Sequence, residues 1–176
     1  MSSVKLHVPE FVRCMGCGGL APAVAGPTHR YMKSSPGCWA VYGEVLAREY
    51  SDPAYATVHR QTVDAFAVQH PGKPSKQSIR SVGIHLVRLY LILERGFSDQ
   101  AAAKAMPRIS SGKDEFHWLT PPASMGPTTA VDVWRTNGAQ EHIHTVQDWA
   151  LSAWQAWAQH HEQVRRWVPA RLSDAG

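Results

Sequence analysis

Hydrophobic residues recur at intervals of three and four along most of the chain, which is the spacing of amphipathic helices. Proline and glycine interrupt this pattern and divide it into separate elements. The pattern predicts helices over residues 36–50, 53–70, 75–95, 101–106 and 139–168, and a single short helical turn over residues 129–134. Alternation of the kind that predicts strands is nearly absent. We therefore expect an all-α fold, an antiparallel helical bundle of four to five helices with an irregular N-terminal loop.

The N-terminal part of the chain lacks helical periodicity. Residues 4–8 are predicted to be extended, and residues 14–35 are too rich in glycine and proline for regular structure. We expect residues 39–176 to form the helical domain. Residues 1–38 are expected to form a loop that does not fold independently.

Composition and charge restrict the function only broadly. The 176 residues are 44% hydrophobic, which is enough for a core, and the net charge of +4 comes from scattered basic residues. Nucleic-acid binding is therefore unlikely, because it would favour a denser basic stripe with interleaved aromatic residues. No apolar run reaches the ~20 residues of a membrane span, and the N-terminus does not resemble a signal peptide. We expect a cytoplasmic protein with reduced cysteines; its partners are unknown, and a homo-oligomer is compatible with the sequence.

The three cysteines form the most informative motif. Cys14, Cys17, His29 and Cys38 follow the spacing C-x2-C-x11-H-x8-C. Three thiolates and one imidazole are the number and type of ligands found in closed structural zinc sites. Glycines next to the C-x2-C pair favour a tight turn, and Cys38 lies near a predicted helix N-terminus, where a thiolate is stabilised. The sequence therefore predicts a zinc site.

Other interpretations of these residues are open. The C-x2-C pair is also typical of redox proteins, although its glycine-rich flanks fit that class poorly. The cysteines are otherwise disulfide partners or ordinary buried thiols. His29 is the weakest of the four predicted ligands, since His7 or His59 could replace it. His70 ends a predicted helix, where a cation suits the helix dipole.

Three histidines from different predicted helices suggest a second metal site. His59, His85 and His142 lie on or beside apolar stripes, and metal sites in helical bundles use such positions. The arrangement resembles the DinB-type four-helix proteins, in which three histidines hold a metal used for thiol chemistry. Those proteins typically carry H-x3-H on one helix, which is lacking here. Buried histidines that hydrogen-bond a hydroxyl or a carbonyl are the alternative.

Several segments together resemble an uncharacterised bacterial family of small proteins, domain of unknown function 5946. They include C-M-G-C-G-G, G-P-T-H-R-Y-M-K-S-S-P-G-C-W, S-D-P-A-Y-A-T-V-H-R-Q-T-V-D-A, F-H-W-L-T-P-P-A and W-A-L-S-A-W-Q-A-W-A-Q-H-H. The resemblance covers nearly the full length and implies a bacterial source, but no activity.

Two functional hypotheses follow from the sequence. In the first, a structural zinc site supports a binding or regulatory role. In the second, the protein is a metal-dependent enzyme, a DinB-like transferase or an enzyme of thiol chemistry, with the three-histidine site between helices. The sequence assigns no catalytic residue.

Overall fold

A computed structural model describes residues 10–111, 116–169 and 172 of the chain. Helices dominate these residues, which confirms the predicted helical class; the antiparallel bundle arrangement stays a prediction. The elements in chain order are β1 (Phe11–Arg13), β2 (Leu20–Pro22), α1 (Pro36–Ser51), α2 (Pro53–Ala56), α3 (His59–Gln69), α4 (Lys76–Leu93), α5 (Asp99–Ser110), α6 (Ala130–Trp134), α7 (Ala139–Ala156), a 3-10 turn (Ala158–His160) and α8 (His161–Trp167).

The helix starts follow the capping signals of the sequence. Ser35, Ser75 and Ser98 each accept a hydrogen bond from a backbone N–H in the first turn of α1, α4 and α5, which satisfies a donor that has no partner inside the helix. Asp52 does the same for α2 through the N–H of Ala54. These caps explain why helix starts were predicted to within about two residues.

Two predicted helices are broken in the structure. The predicted helix over residues 53–70 is divided into α2 and α3 at Thr57 and Val58. The predicted helix over residues 139–168 is interrupted after Ala156, where the chain turns through the 3-10 segment. At this turn the indole N–H of Trp157 donates to the carbonyl of Val68 at 3.1 Å. That long-range contact satisfies the buried indole, and periodicity alone does not reveal it.

The N-terminal segment contains a small hairpin that was not predicted. Strands β1 and β2 pair antiparallel, with Arg13 opposite Leu20, so part of the expected irregular loop over residues 14–35 is a strand. The predicted extended segment over residues 4–8 lies outside the described residues. The hairpin carries the C-x2-C turn at its tip, because Cys14 directly follows β1 and Cys17 precedes β2.

The core lies where α3 packs against α4 and α7. Aromatic and aliphatic side chains from these helices are fully buried there, among them Phe66, Leu86, Leu89 and Trp149. Burial of each such side chain contributes about 1.5–3 kcal/mol relative to exposure. Helix α3 is therefore central in the fold, and His70 is the first residue after its end. No helix in the described part of the chain combines the length and apolar character needed to cross a membrane.

A buried glutamine joins α3 to the loop before α6 and to α7. The amide nitrogen of Gln69 donates to the carbonyls of Met125 and Thr128, and its oxygen accepts from the indole of Trp149 at 2.7 Å. Replacing Gln69 with leucine leaves these buried groups without a partner.

We expect Gln69→Leu to lower the free energy of unfolding by about 2–4 kcal/mol, because each unsatisfied buried polar group costs about 1–3 kcal/mol. Chemical denaturation monitored by circular dichroism measures the loss. Gln147→Leu is the matched control, since Gln147 is exposed and its replacement should change stability by less than about 0.5 kcal/mol. Equal stabilities of the two variants would contradict a stabilising role of the Gln69 hydrogen bonds.

Candidate metal centre

Three cysteines and one histidine converge between the hairpin, α1 and α3. The Sγ atoms of Cys14, Cys17 and Cys38 and a ring nitrogen of His70 all lie within 4.8 Å of one another, and all four residues are buried. The two sulfurs of Cys17 and Cys38 are 3.8 Å apart. Nε2 of His70 lies 3.6 Å from Cys14 Sγ and 3.4 Å from Cys38 Sγ.

These separations match the edges of a tetrahedral site. Zinc–sulfur bonds of about 2.3 Å and zinc–nitrogen bonds of about 2.0 Å at tetrahedral angles place two sulfurs about 3.8 Å apart and a sulfur about 3.5 Å from the nitrogen. A disulfide would bring two sulfurs to about 2.05 Å. The three cysteines are free thiols here, so the disulfide interpretation does not fit the structure.

The turn between Cys14 and Cys17 is shaped by backbone hydrogen bonds and glycine. The N–H of Cys14 donates to the carbonyl of Gly19, and the N–H of Gly18 donates to the carbonyl of Cys14. Gly18 adopts a φ of 78°, which side-chain-bearing residues rarely take. Gly16 lies against the imidazole, and a Cβ added there would come 2.6 Å from Cδ2 of His70. The glycines therefore let the turn close onto the histidine.

Backbone amides also support the sulfurs. The N–H of Gly19 points at Cys17 Sγ and the N–H of Ser35 at Cys14 Sγ, both at 3.4 Å. Such contacts stabilise negative charge on a thiolate. Cys38 lies in the first turn of α1, where its own N–H donates to the N-cap hydroxyl of Ser35. The positive end of the helix dipole adds to this stabilisation.

His70 is oriented for ligation by the helix that it ends. Its Nδ1–H donates to the carbonyl of Phe66 at 2.7 Å, which leaves the lone pair of Nε2 directed at the sulfurs. The ring also stacks on Phe66 at a centroid distance of 3.9 Å. A backbone carbonyl that fixes the tautomer is the usual outer-shell partner of a metal-binding histidine.

The crowding of these groups shifts their protonation. Hydrogen bonding from Cys17 and Cys38 lowers the pKa of Cys14 far below its usual range. The pKa of Cys38 is raised strongly, because it hydrogen-bonds Cys14 and Cys17 in a buried setting. Burial works to lower the pKa of His70, but its hydrogen bonds to Cys14 and Cys17 raise it to about 9. In the absence of a cation, the cluster therefore shares protons among groups that zinc would bind in their deprotonated form.

The structure brings together three of the four predicted ligands. His29 lies elsewhere, with its ring against Tyr31 and Trp39 at centroid distances of 4.4 and 5.1 Å, and its Nδ1 accepts from the N–H of Tyr31. Burial lowers the pKa of His29. His70 occupies the fourth position instead. Sequence spacing could not find it, because α3 returns to the hairpin only through the tertiary fold.

A comparison with family models adds a classification to this geometry. A model described as a family of unknown function matches residues 12–158, which include Cys14, Cys17, Cys38 and His70. The chain belongs to the DUF5946 family. The family assignment confirms the resemblance noted in the sequence. No curated protein and no solved structure matches the chain.

The three histidines predicted for a second metal site do not form one cluster in this DUF5946 protein. His142 Nε2 and His59 Nδ1 each lie 2.9 Å from a different oxygen of the buried Glu49, whereas His85 Nδ1 contacts Asp64 at 2.7 Å. Among the described residues, only the cysteine-containing group brings three or more ligand atoms within 4.8 Å. His59, His85 and His142 are therefore partners of buried carboxylates in this structure.

The hydrogen bonds of His142 follow from its neighbours. Nη1 of Arg48 lies 3.4 Å from His142 Nδ1, and arginine can only donate. Nδ1 is therefore the acceptor and Nε2–H donates to Glu49. The hydroxyl of Thr62 also donates to Glu49, at 2.5 Å. Sequence reasoning missed Glu49, since its long-range partners come from α3 and α7.

Asp64 is the second buried carboxylate that the sequence did not single out. Nε of Arg88 donates to both of its oxygens at 2.9 and 3.0 Å, in addition to the contact with His85. Asp64 is 1% exposed and Arg88 is 7% exposed. Arg88 extends the network to Asp99 at 3.3 Å. The contacts between Asp64 and its partners His85 and Arg88 on the facing helix α4 leave no local pattern in the sequence.

We expect Asp64→Asn to lower the free energy of unfolding by about 3 kcal/mol, because removal of one partner leaves the other buried charge uncompensated. Thermal and denaturant unfolding measure the effect. Asp148→Asn is the control, since Asp148 pairs with His144 at an exposed site and should cost no more than about 0.5 kcal/mol. A loss of similar size in both variants would show that the Asp64 network is not a stabilising feature.

Proposed function

We propose that Cys14, Cys17, Cys38 and His70 bind one zinc ion, and that this ion has a structural role. The observation that carries the proposal is the approach of three sulfurs and one imidazole nitrogen to within 4.8 Å of one another in a buried position. Three of their separations, 3.4, 3.6 and 3.8 Å, match tetrahedral edges. The donor set also fits: soft thiolates with one imidazole are characteristic of zinc rather than of magnesium or calcium. Zinc would supply the positive charge that three clustered thiolates require.

The closed coordination favours a structural ion over a catalytic one. Catalytic zinc keeps a position open for water or substrate, whereas four protein ligands fill the tetrahedron. Each of the four residues is buried, so access for a substrate is limited. The ligands come from the hairpin, the start of α1 and the end of α3. The ion would therefore fasten the hairpin to the start of α1 and the end of α3.

A binding or regulatory role is the activity that this arrangement favours. Large hydrophobic side chains are exposed at few positions of the described chain, and most of them lie on the hairpin or just after it. They are Phe11, Val12, Met15, Leu20 and Val24. They are distributed over both faces of the hairpin, since Phe11 and Val12 are successive residues of β1, and exposed apolar side chains are available to a partner. Zinc would hold the hairpin in place, which makes the metal a support for binding.

The metal-dependent enzyme remains the second hypothesis for the molecule. Its predicted ligands His59, His85 and His142 carry less support, because Glu49 engages His142 Nε2 and the three rings do not converge. A second equivalent of tightly bound metal would be the sign of such a site.

Metal analysis of variants tests the proposal. Protein purified without chelators should contain one zinc per chain by inductively coupled plasma mass spectrometry. His70→Gln should lose zinc, because it removes a ligand with little change in volume, and the Cys14→Ser/Cys17→Ser variant should lose it as well. His29→Gln is the matched control and should keep the full complement.

Hydrogen exchange tests the structural role independently. Chelation should accelerate exchange in β1, β2 and the first turn of α1, where the metal would hold the chain, while the core of α4 and α7 stays protected.

Zinc retained by His70→Gln but lost from His29→Gln would contradict the ligand assignment. Unchanged exchange in zinc-free protein would contradict a structural role.

A further inference from the structure

A cleft toward the N-terminal end of α3, away from the cysteine cluster at its C-terminal end, combines two oriented histidines with an exposed arginine. It lies between the end of α1, α3, α4 and α5, and its volume is about 650 Å³. Val63, Ala103 and Met106 form an apolar wall, and His59, Arg60 and His85 also line the cleft. A cavity of this size accommodates a small organic molecule.

Both histidines face the cleft in a fixed tautomer. Nδ1 of His59 is held by Glu49 at 2.9 Å, and Nδ1 of His85 is held by Asp64 at 2.7 Å. Because an ionised carboxylate only accepts hydrogen bonds, each Nδ1 carries the proton. Within the described residues, Nε2 of neither ring has a hydrogen-bond partner. The side chains are 23% and 19% exposed, so this nitrogen is the polar atom that each ring retains for a ligand.

The two arginines at the cleft differ in their availability. Arg88 is committed to Asp64 and Asp99 and is buried. Arg60 is exposed, and no side-chain hydrogen bond from Arg60 occurs in the described part of the chain. Its guanidinium lies at the cleft with donors that match a carboxylate, sulfonate or phosphate group.

Charged and titratable groups from three helices line the cleft. They are Tyr50 at the end of α1, His59, Arg60 and Asp64 from α3, and His85 and Arg88 from α4. Glu49 and Asp99 are not part of the lining, but they hold His59 and Arg88. Arg60 is therefore the cation available to an anionic ligand, and each ring that carries an Nε2–H adds a donor.

We propose that this cleft binds a small organic anion, with Arg60 and the Nε2–H groups of His59 and His85 on the anionic group and the apolar wall on the hydrocarbon part. This site is separate from the cysteine cluster and does not depend on metal there. Its ligand class is an aromatic or aliphatic carboxylate, sulfonate or phosphate ester.

Benzenesulfonate is a suitable probe, because it joins one permanent negative charge to an apolar ring. Isothermal titration calorimetry on the full metal-loaded chain should show saturable binding of one equivalent per chain. Long-range ¹H–¹⁵N spectra should show the ligand-induced shifts at His59 and His85.

Variants locate the site. Arg60→Gln and His59→Gln should each weaken binding about tenfold, the effect of one charge-assisted hydrogen bond, and His85→Gln should do the same. Arg108→Gln and His144→Gln are the matched controls at exposed positions and should bind as the unmodified protein does. If His85→Gln does not fold, the Arg60 and His59 variants still carry the test.

Several results would overturn the proposal. They are the absence of saturable binding and equal affinities of Arg60→Gln and Arg108→Gln. A second equivalent of zinc held by His59 and His85, without benzenesulfonate binding, would assign the cleft to a cation instead.

Discussion

The close approach of three sulfurs and one imidazole nitrogen is the constraint on which the N-terminal half of the structure depends. Cys14 and Cys17 come from the hairpin, Cys38 from the start of α1, and His70 from the end of α3. In the absence of a cation, these groups compete for protons in a buried space, which lowers the pKa of Cys14 and raises that of Cys38 through their shared hydrogen bonds. A divalent ion would bind the three sulfurs and the imidazole nitrogen in their deprotonated forms, so the four groups would no longer compete for protons.

The hairpin beside this cluster is a weak structural element. The hairpin has only three residues in each strand, too few for independent stability. Its turn lies against the imidazole of His70 at Gly16, and the same imidazole is fixed from the other side by the carbonyl of Phe66. The cluster thus connects a weak element to the well-packed helix α3. This connection explains how a short, exposed hairpin keeps a defined position.

The remaining buried charge is concentrated nearer the N-terminal end of α3, in the networks of Glu49 and Asp64. Each carboxylate is satisfied by several donors, and each orients one histidine toward the same cleft. Burying a carboxylate is costly unless it is fully hydrogen-bonded. Glu49 is bonded by His59, Thr62 and His142, and Asp64 by His85 and Arg88. With the networks of Glu49 and Asp64 beside it, the cleft carries more oriented polar groups than an accidental gap in the packing would carry.

The sequence predicted features that have a local cause. Proline and glycine marked the breaks between helices, and the short spacing between Cys14 and Cys17 indicated their common turn. The cluster of Cys38 with this pair was also expected, since only one loop separates them. His70 was interpreted as a helix-terminal cation because its partners lie 32 and 56 residues away. The breaks at Thr57 and Trp157 and the roles of Glu49 and Asp64 also depend on distant contacts, which helical periodicity does not contain.

Zinc K-edge X-ray absorption of protein purified without chelators tests the central claim most directly. The account predicts a first shell of three sulfurs at about 2.3 Å and one nitrogen at about 2.0 Å. Replacing His70 with glutamine should remove the nitrogen contribution or the metal itself. A shell made only of nitrogen and oxygen, or folded protein that contains no zinc, would contradict the account.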